Sequence, residues 1–459
     1  MRIPAAVMAT AIVLGAPGPP ASASLQCQVN SGVATVDDVT NTDPQDCGIM
    51  VVGQGGTATL NILDGRLIRA TQTVHISLSA SGTGASDGTV NVMGNYSRLQ
   101  GESSVYVGFN PGTGNGALGR LNIGAGGLVS AATALVPRRD GVGPAQGFVT
   151  ISGPGSMLDV AGSLTLGQGD SSVTIGTGGT LSLGSSITIS GGGVANIFLE
   201  GGTLSLTGPS VVPGGFGGGI VVFSSGAFRF RSSQTLDGGA GFYTNYLGSP
   251  PVLPAGRGLI VDGTTTLVTA LAIDGGSLRT GRIDVDSAGG SVSLSGGTLT
   301  LTGDRAVLDD GSDFGPDPLV VGDGAGDRAR LVLRSPETML LGDVTVMTDG
   351  TLSFSGEALV LDSLDNSGSV TVVGATLDAR GGLVNTGSLR LTEVVVEGDV
   401  TSPAGSSVDV SGTVVFNGFF SGAADFYGSG TVIFNGGASS ATRIDAPGVK
   451  VIYRFPPAQ

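Results

Sequence analysis

Apolar residues alternate with small polar ones along most of the chain, in short runs broken by Gly, Asn and Asp. A period of two sends one side chain inward and the next outward, which predicts β-strands with one buried face. The runs also repeat. Residues 88–108 realign with 147–167 at an offset of 59: Gly88 with Gly147, Val90 with Val149, Val92 with Ile151, Gly94 with Gly153, Ser97 with Ser156 and Leu99 with Leu158. Val105, Val107 and Gly108 then match Leu164, Leu166 and Gly167. In a third copy, Val52-Gly53 corresponds to Val107-Gly108 and Leu60-Asn61-Ile62 to Leu121-Asn122-Ile123, so the offset grows from 55 to 61. That growth places a loop near 110–116.

A second unit is a glycine turn followed by Leu-x-Leu. It occurs as Gly178-Gly179-Thr180-Leu181-Ser182-Leu183, as Gly201-Gly202-Thr203-Leu204-Ser205-Leu206 and as Gly296-Gly297-Thr298-Leu299-Thr300-Leu301. Asp349-Gly350-Thr351-Leu352-Ser353-Phe354 is a looser copy. Glycine supplies the backbone angles of a tight turn, and Leu-x-Leu points two side chains to one face.

Two all-β solutions fit such an array, a β-solenoid and a string of sandwiches. Sandwiches need thick cores of large side chains, whereas aromatics are only 5 % here and Trp is absent. The expectation is a right-handed parallel β-helix, with the 59-residue repeat divided into three coils of about 20 residues each. The chain then divides into an export signal at 1–23, an N-terminal cap at 24–48, a first solenoid block at 49–208, an excursion at 209–263, a second block at 264–440 and a tail at 441–459. The excursion is marked by its Gly run, by Pro250, Pro251 and Pro254, and by Phe216, Phe223, Phe228, Phe230, Phe242, Tyr243 and Tyr246. These rings are expected to pack the loop against the solenoid; the sharper alternative is a platform for stacking glycans.

Composition narrows the function classes. The 83 Gly and 21 Pro would suit disorder, but 40 % hydrophobic and only 12 % charged residues do not. The net charge is −15 and the only lysine is Lys450, so binding to nucleic acid or to anionic membrane surfaces is disfavoured. Arg2, the apolar 4–16 stretch and Ala21-Ser22-Ala23 form the three parts of a secretory signal in order. No later stretch is apolar over about 18 residues, so no membrane helix is expected in the mature chain. Cys27 and Cys47 are the only cysteines. In an exported chain they are expected to pair, closing a loop of about 20 residues for about 3 kcal/mol in the chain-entropy view.

The G-x-x-S-x-apolar element (Gly94-Asn95-Tyr96-Ser97-Arg98-Leu99 and Gly153-Pro154-Gly155-Ser156-Met157-Leu158), followed by V-x-V-G, resembles repeats of bacterial exported autotransporter-type passenger proteins. The stretch 381–436 is also similar to exported β-strand-repeat surface proteins, through Leu383-Val384-Asn385-Thr386-Gly387-Ser388-Leu389, Val414-Val415-Phe416-Asn417-Gly418 and Gly428-Ser429-Gly430-Thr431-Val432. The resemblance implies a β-helical protein of the bacterial outer surface or exterior, structural or adhesive in role. Two departures stand out. Leu99 and Leu158 occupy the position where such repeats commonly carry Trp, and no translocator barrel follows in this chain.

Candidate chemistry is sparse. Asp309, Asp310, Asp313 and Asp317 form the densest acidic cluster; Asp309, Asp310 and Asp313 are weak candidates for Ca²⁺, and paired carboxylates also serve glycosidases. The Gly-His-Gly and Arg-Ile-Lys elements of polygalacturonase-like enzymes have no counterpart here. Asp323 and Asp327, in Gly322-Asp323-Gly324-Ala325-Gly326-Asp327, are similar to a single Ca²⁺-binding nonapeptide unit, with the wrong spacing. Asp362, Asp365 and Asn366 read as a polar turn, His75 as an exposed strand residue, and Arg138-Arg139-Asp140 as an exposed loop. No catalytic residue and no cofactor is assigned. The expectation is a non-catalytic extracellular surface protein that contacts glycans, cells or matrix; a polysaccharide-cleaving or glycan-binding β-helix is the alternative.

Overall fold

The computed structural model describes residues 26–29, 31–36, 45–79, 84–112, 116–140, 143–167, 169–189, 194–207, 220–237, 242–285, 290–303, 319–336, 338–442, 444 and 446–455. Among these, every element is a strand except one short helix, Phe242–Leu247, and no helix is long and apolar enough to cross a membrane. The strands pair in parallel, coil upon coil, as a parallel β-helix. The chain divides into two compact units, 1–229 and 230–459.

In the first unit the coils carry three rows of strands. One row runs through Thr57–Ile62, Ser86–Met93, Ala117–Gly124, Ala145–Ser152 and Asp170–Gly176. A second runs through Leu67–Ala70, the start of Arg98–Asn110, the start of Leu128–Val136, Met157–Val160 and Thr180–Leu183. The third joins Ile49–Gln54, Thr73–Leu78 and the later parts of the two long strands to Leu164–Leu166. The pattern read from the sequence survives intact: Val90, Val92, Leu121, Ile123, Val149 and Ile151 are all buried, and their neighbours face outward.

The repeat divides differently from the expectation. Gly88 pairs with Gly119 and Gly119 with Gly147, so the 59-residue offset is two coils of 31 and 28 residues, not three of about 20. The other offsets are also two coils each: Val52 pairs with Ile76 and Ile76 with Val107, while Leu60 pairs with Val90 and Val90 with Leu121. The ladder constrains only the strands. Successive coils take up different numbers of residues, 31 and then 28, with the register unchanged. In the later part of the second unit, Leu352, Val370, Leu389, Val408 and Phe426 pair in succession at steps of 18 or 19 residues, whereas Leu299 and Leu331 pair across 32. There the 20-residue coil holds.

Two recurrent sequence features acquire causes. Gly88, Gly119 and Gly147 stack in one column, where a Cβ would run into the backbone of Val52 and Ser77, of Gly108, or of Val107. Ser97 and Ser156 are buried, and each hydroxyl oxygen accepts a bond from a turn in the preceding coil, the Gly65 N–H at 3.0 Å and the Gly126 N–H at 3.1 Å. The serine of the repeat therefore satisfies a backbone donor that the ladder leaves over.

At the N-terminal side, Gln26–Val29 pairs with Ile49–Gln54, so this stretch supplies a rung of the ladder. Cys27 and Cys47 form the expected disulfide, with Cα atoms 5.6 Å apart. Within 209–263, Ile220–Phe230 and Arg257–Leu267 are strands, and the glycine run lies outside the described residues. Phe223 and Phe228 meet edge to face at 4.6 Å in the first unit. In the second unit Phe230 meets Tyr243 at 5.8 Å, and the Tyr243 hydroxyl donates to Gln234 Oε1 at 2.7 Å. All four rings are buried and offer no face to a ligand.

Candidate functional site

The acidic cluster of Asp309, Asp310, Asp313 and Asp317 lies outside the described residues. Among the described residues, no three His, Cys, Asp or Glu side chains converge as metal ligands do. The loop carrying Asp323 and Asp327 is organised around an anion instead. Asp349, on the next coil, accepts the Gly324 N–H on Oδ1 and the Gly326 N–H on Oδ2, both at 3.1 Å. Asp323 Oδ1 accepts the Ala325 N–H at 2.7 Å. Gly322, Gly324 and Gly326 all have positive φ, the geometry that turns backbone N–H groups into a nest for an oxyanion. Desolvation is the largest single influence and raises the Asp349 pKa, but the hydrogen bonds, led by the Gly326 and Gly324 N–H groups, together outweigh it and hold the carboxyl below its ordinary pKa. Asp349→Ala is expected to speed amide exchange at Gly324 and Gly326 by about tenfold or more, read by hydrogen exchange.

Asp362 and Asp365 are exposed, as the polar-turn reading requires, but Asn366 is not. It points into the core, donates to Asn385 Oδ1 at 2.7 Å and to the Ser388 carbonyl at 3.0 Å, and Asn385 in turn donates to Ser402 Oγ at 3.0 Å. The alternation of Leu364-Asp365-Asn366 already implied this orientation. The partners that make it tolerable stand a coil away.

His75 faces outward, yet it is not a free surface residue. Its register partners are Val51 and Tyr106. The imidazole stacks on Tyr106 at 4.9 Å and on Phe109 at 5.2 Å. On the far side the Arg138 guanidinium lies 4.9 Å from the Tyr106 centroid and 5.0 Å from that of Phe109, donates to the Tyr106 hydroxyl at 2.7 Å and pairs with Asp140 at 2.8 Å. Burial, and then the Arg138 charge, push the His75 pKa down to about 4, so the ring is neutral at pH 7. Its Nε2 shares a hydrogen bond with Thr73 Oγ1 at 3.0 Å, and Nδ1 is buried without a partner. This stack clamps three successive coils. Tyr106 and Phe109 carried no signal of it in sequence, because their register partners stand 31 residues before them and 29 after.

The second unit presents a broad outward face. One row passes through Ser353, Thr371, Arg390, Asp409 and Tyr427, one residue per rung. Flanking rows pass through Ser369, Ser388, Ser407 and Asp425, and through Val373, Thr392, Ser411 and Ser429. Arg390 Nε donates to Asp409 Oδ2 at 2.8 Å. Tyr427 is 55 % exposed. Against known proteins, no family model, no curated protein and no solved structure matches this chain.

Proposed function

We propose that the protein is a non-catalytic extracellular β-solenoid, akin to exported passenger proteins, whose long sides make weak and multivalent contact with glycans, other cells or matrix. The observation that carries the reading is the outward face of the second unit, where each coil repeats a hydroxyl or small polar group at the same register. Repetition of one weak contact along a ladder raises avidity without any tight single site. The order of signal-like segments at the N-terminus and the Cys27–Cys47 disulfide support an oxidising, exported setting.

The test is incubation of the purified chain with a panel of polysaccharides, with and without Ca²⁺, followed by assay of retained protein and of released sugar ends. Retention without new ends is the expected result. New reducing or unsaturated ends would overturn the reading and make the protein a polysaccharide-cleaving enzyme. A deletion strain with unaltered attachment and biofilm would remove the adhesive role.

A further inference from the structure

We infer that the outward face around Tyr427 binds a neutral polysaccharide lying along the coil axis, with Tyr427 as its stacking platform; this inference rests on the adhesive reading above. Three features converge there. The first is the ring. Phe426 and Phe434, on the same strand Asp425–Phe434, point inward and are buried. Tyr427 points the other way and stands 55 % exposed, the one ring in a face built mostly of small polar groups, with Arg390 in its row and the exposed Val373 in a flanking one. A phenol ring presents an apolar surface for the C–H face of a sugar and a polar tip that stays wet.

The second feature is hydrogen-bonding capacity at a fixed spacing. Ser353 and Thr371 continue the Tyr427 row, and Ser369, Ser388, Ser407, Thr392, Ser411 and Ser429 flank it. Each hydroxyl both donates and accepts. Rungs stand about 4.8 Å apart, comparable to one pyranose unit, so a glycan running along the axis meets a fresh hydroxyl at each ring.

The third is charge. Arg390 and Asp409 satisfy one another at 2.8 Å and leave no net field. Asp409 is seated beside Tyr427 because Gly428, at φ 98°, has no Cβ; one would lie 2.7 Å from Asp409 Oδ1. Asp425, at the end of the neighbouring row, adds negative charge to a chain already at −15, which repels acidic polymers and a second copy of the same face. A neutral glycan is the occupant this chemistry accepts.

The experiment is affinity electrophoresis of the full chain through gels containing hydroxyethyl cellulose, dextran or galactomannan, with alginate as the anionic control. Retardation by at least one neutral polymer is expected. Tyr427→Ala should weaken it about five- to tenfold, while Tyr427→Phe retains it and Tyr96→Ala, at an exposed ring in the other unit, leaves it unchanged. Tyr427 contributes nothing to the core, so circular dichroism and the melting temperature of Tyr427→Ala should match the wild type. Equal retardation of wild type and Tyr427→Ala would overturn this site while leaving the adhesive reading standing. Retardation by alginate alone would overturn the ligand class. Absence of retardation in all neutral gels would overturn the inference outright, and unaltered attachment of the deletion strain would separately overturn the reading beneath it.

Discussion

Phe434→Ala is expected to destabilise the second unit by about 3–5 kcal/mol, the range for truncating a fully buried aromatic side chain. Phe434 is wholly buried. It stacks on Phe416 at 5.4 Å and on Tyr453 at 5.3 Å, and it meets Phe420 edge to face at 5.4 Å. Phe416, Phe434 and Tyr453 are register partners on three consecutive rungs, so the deletion opens a cavity in the middle of an aromatic ladder. The neighbours cannot close it without breaking the backbone bonds that hold each rung at its spacing. Phe434→Leu retains most of the volume and should cost about 1–2 kcal/mol. Chemical denaturation of the two variants beside the wild type measures both values. A loss below about 1 kcal/mol for Phe434→Ala would mean that the ladder relaxes around the void, contrary to a rigid stack.

The second large effect is acid destabilisation of the first unit through His75. Its folded pKa of about 4 lies below the ordinary 6.5, so the unfolded chain takes up a proton before the folded chain does. Stability from this group is therefore complete above about pH 6.5, falls as the pH drops toward 4, and is constant below that. The span of about 2.5 pKa units corresponds to about 3 kcal/mol. Burial is the larger cause and the Arg138 charge the second; a charged imidazole would sit in the same stack as the guanidinium. Unfolding should be followed at pH 7.5 and pH 4.5 for the wild type and for His75→Phe, which keeps a ring against Tyr106 but cannot titrate. The wild type should lose about 2.5 kcal/mol more than the variant between those pH values, most of the full span. Equal losses would show that His75 is not held neutral by this packing.

Much of this architecture was legible in the chain. Alternation of apolar and polar residues assigned inside and outside correctly at Val90, Val92, Val149 and Ile151, because the two-residue period of a strand is a local backbone property. The matched Gly88 and Gly147 and the matched Ser97 and Ser156 marked positions where the ladder leaves no room for a Cβ or leaves a donor unpaired. The pairing of Cys27 with Cys47 followed from there being no other cysteine.

Only the tertiary structure decided which residues are neighbours along the axis. The sequence offsets of 55 to 61 in the first unit each span two coils, and only the pairing of the intervening strands shows the step between them. The clamp of His75, Tyr106, Phe109 and Arg138, the capture of Asp349 by the Gly324 and Gly326 amides, and the burial of Asn366 against Asn385 all join residues about 20 to 30 positions apart. The same holds for the row that ends at Tyr427. A strand determines its own two faces from its own residues. Which side chain stands above which depends on how many residues each corner absorbs, and backbone pairing between coils tolerates any number that returns the strand to register.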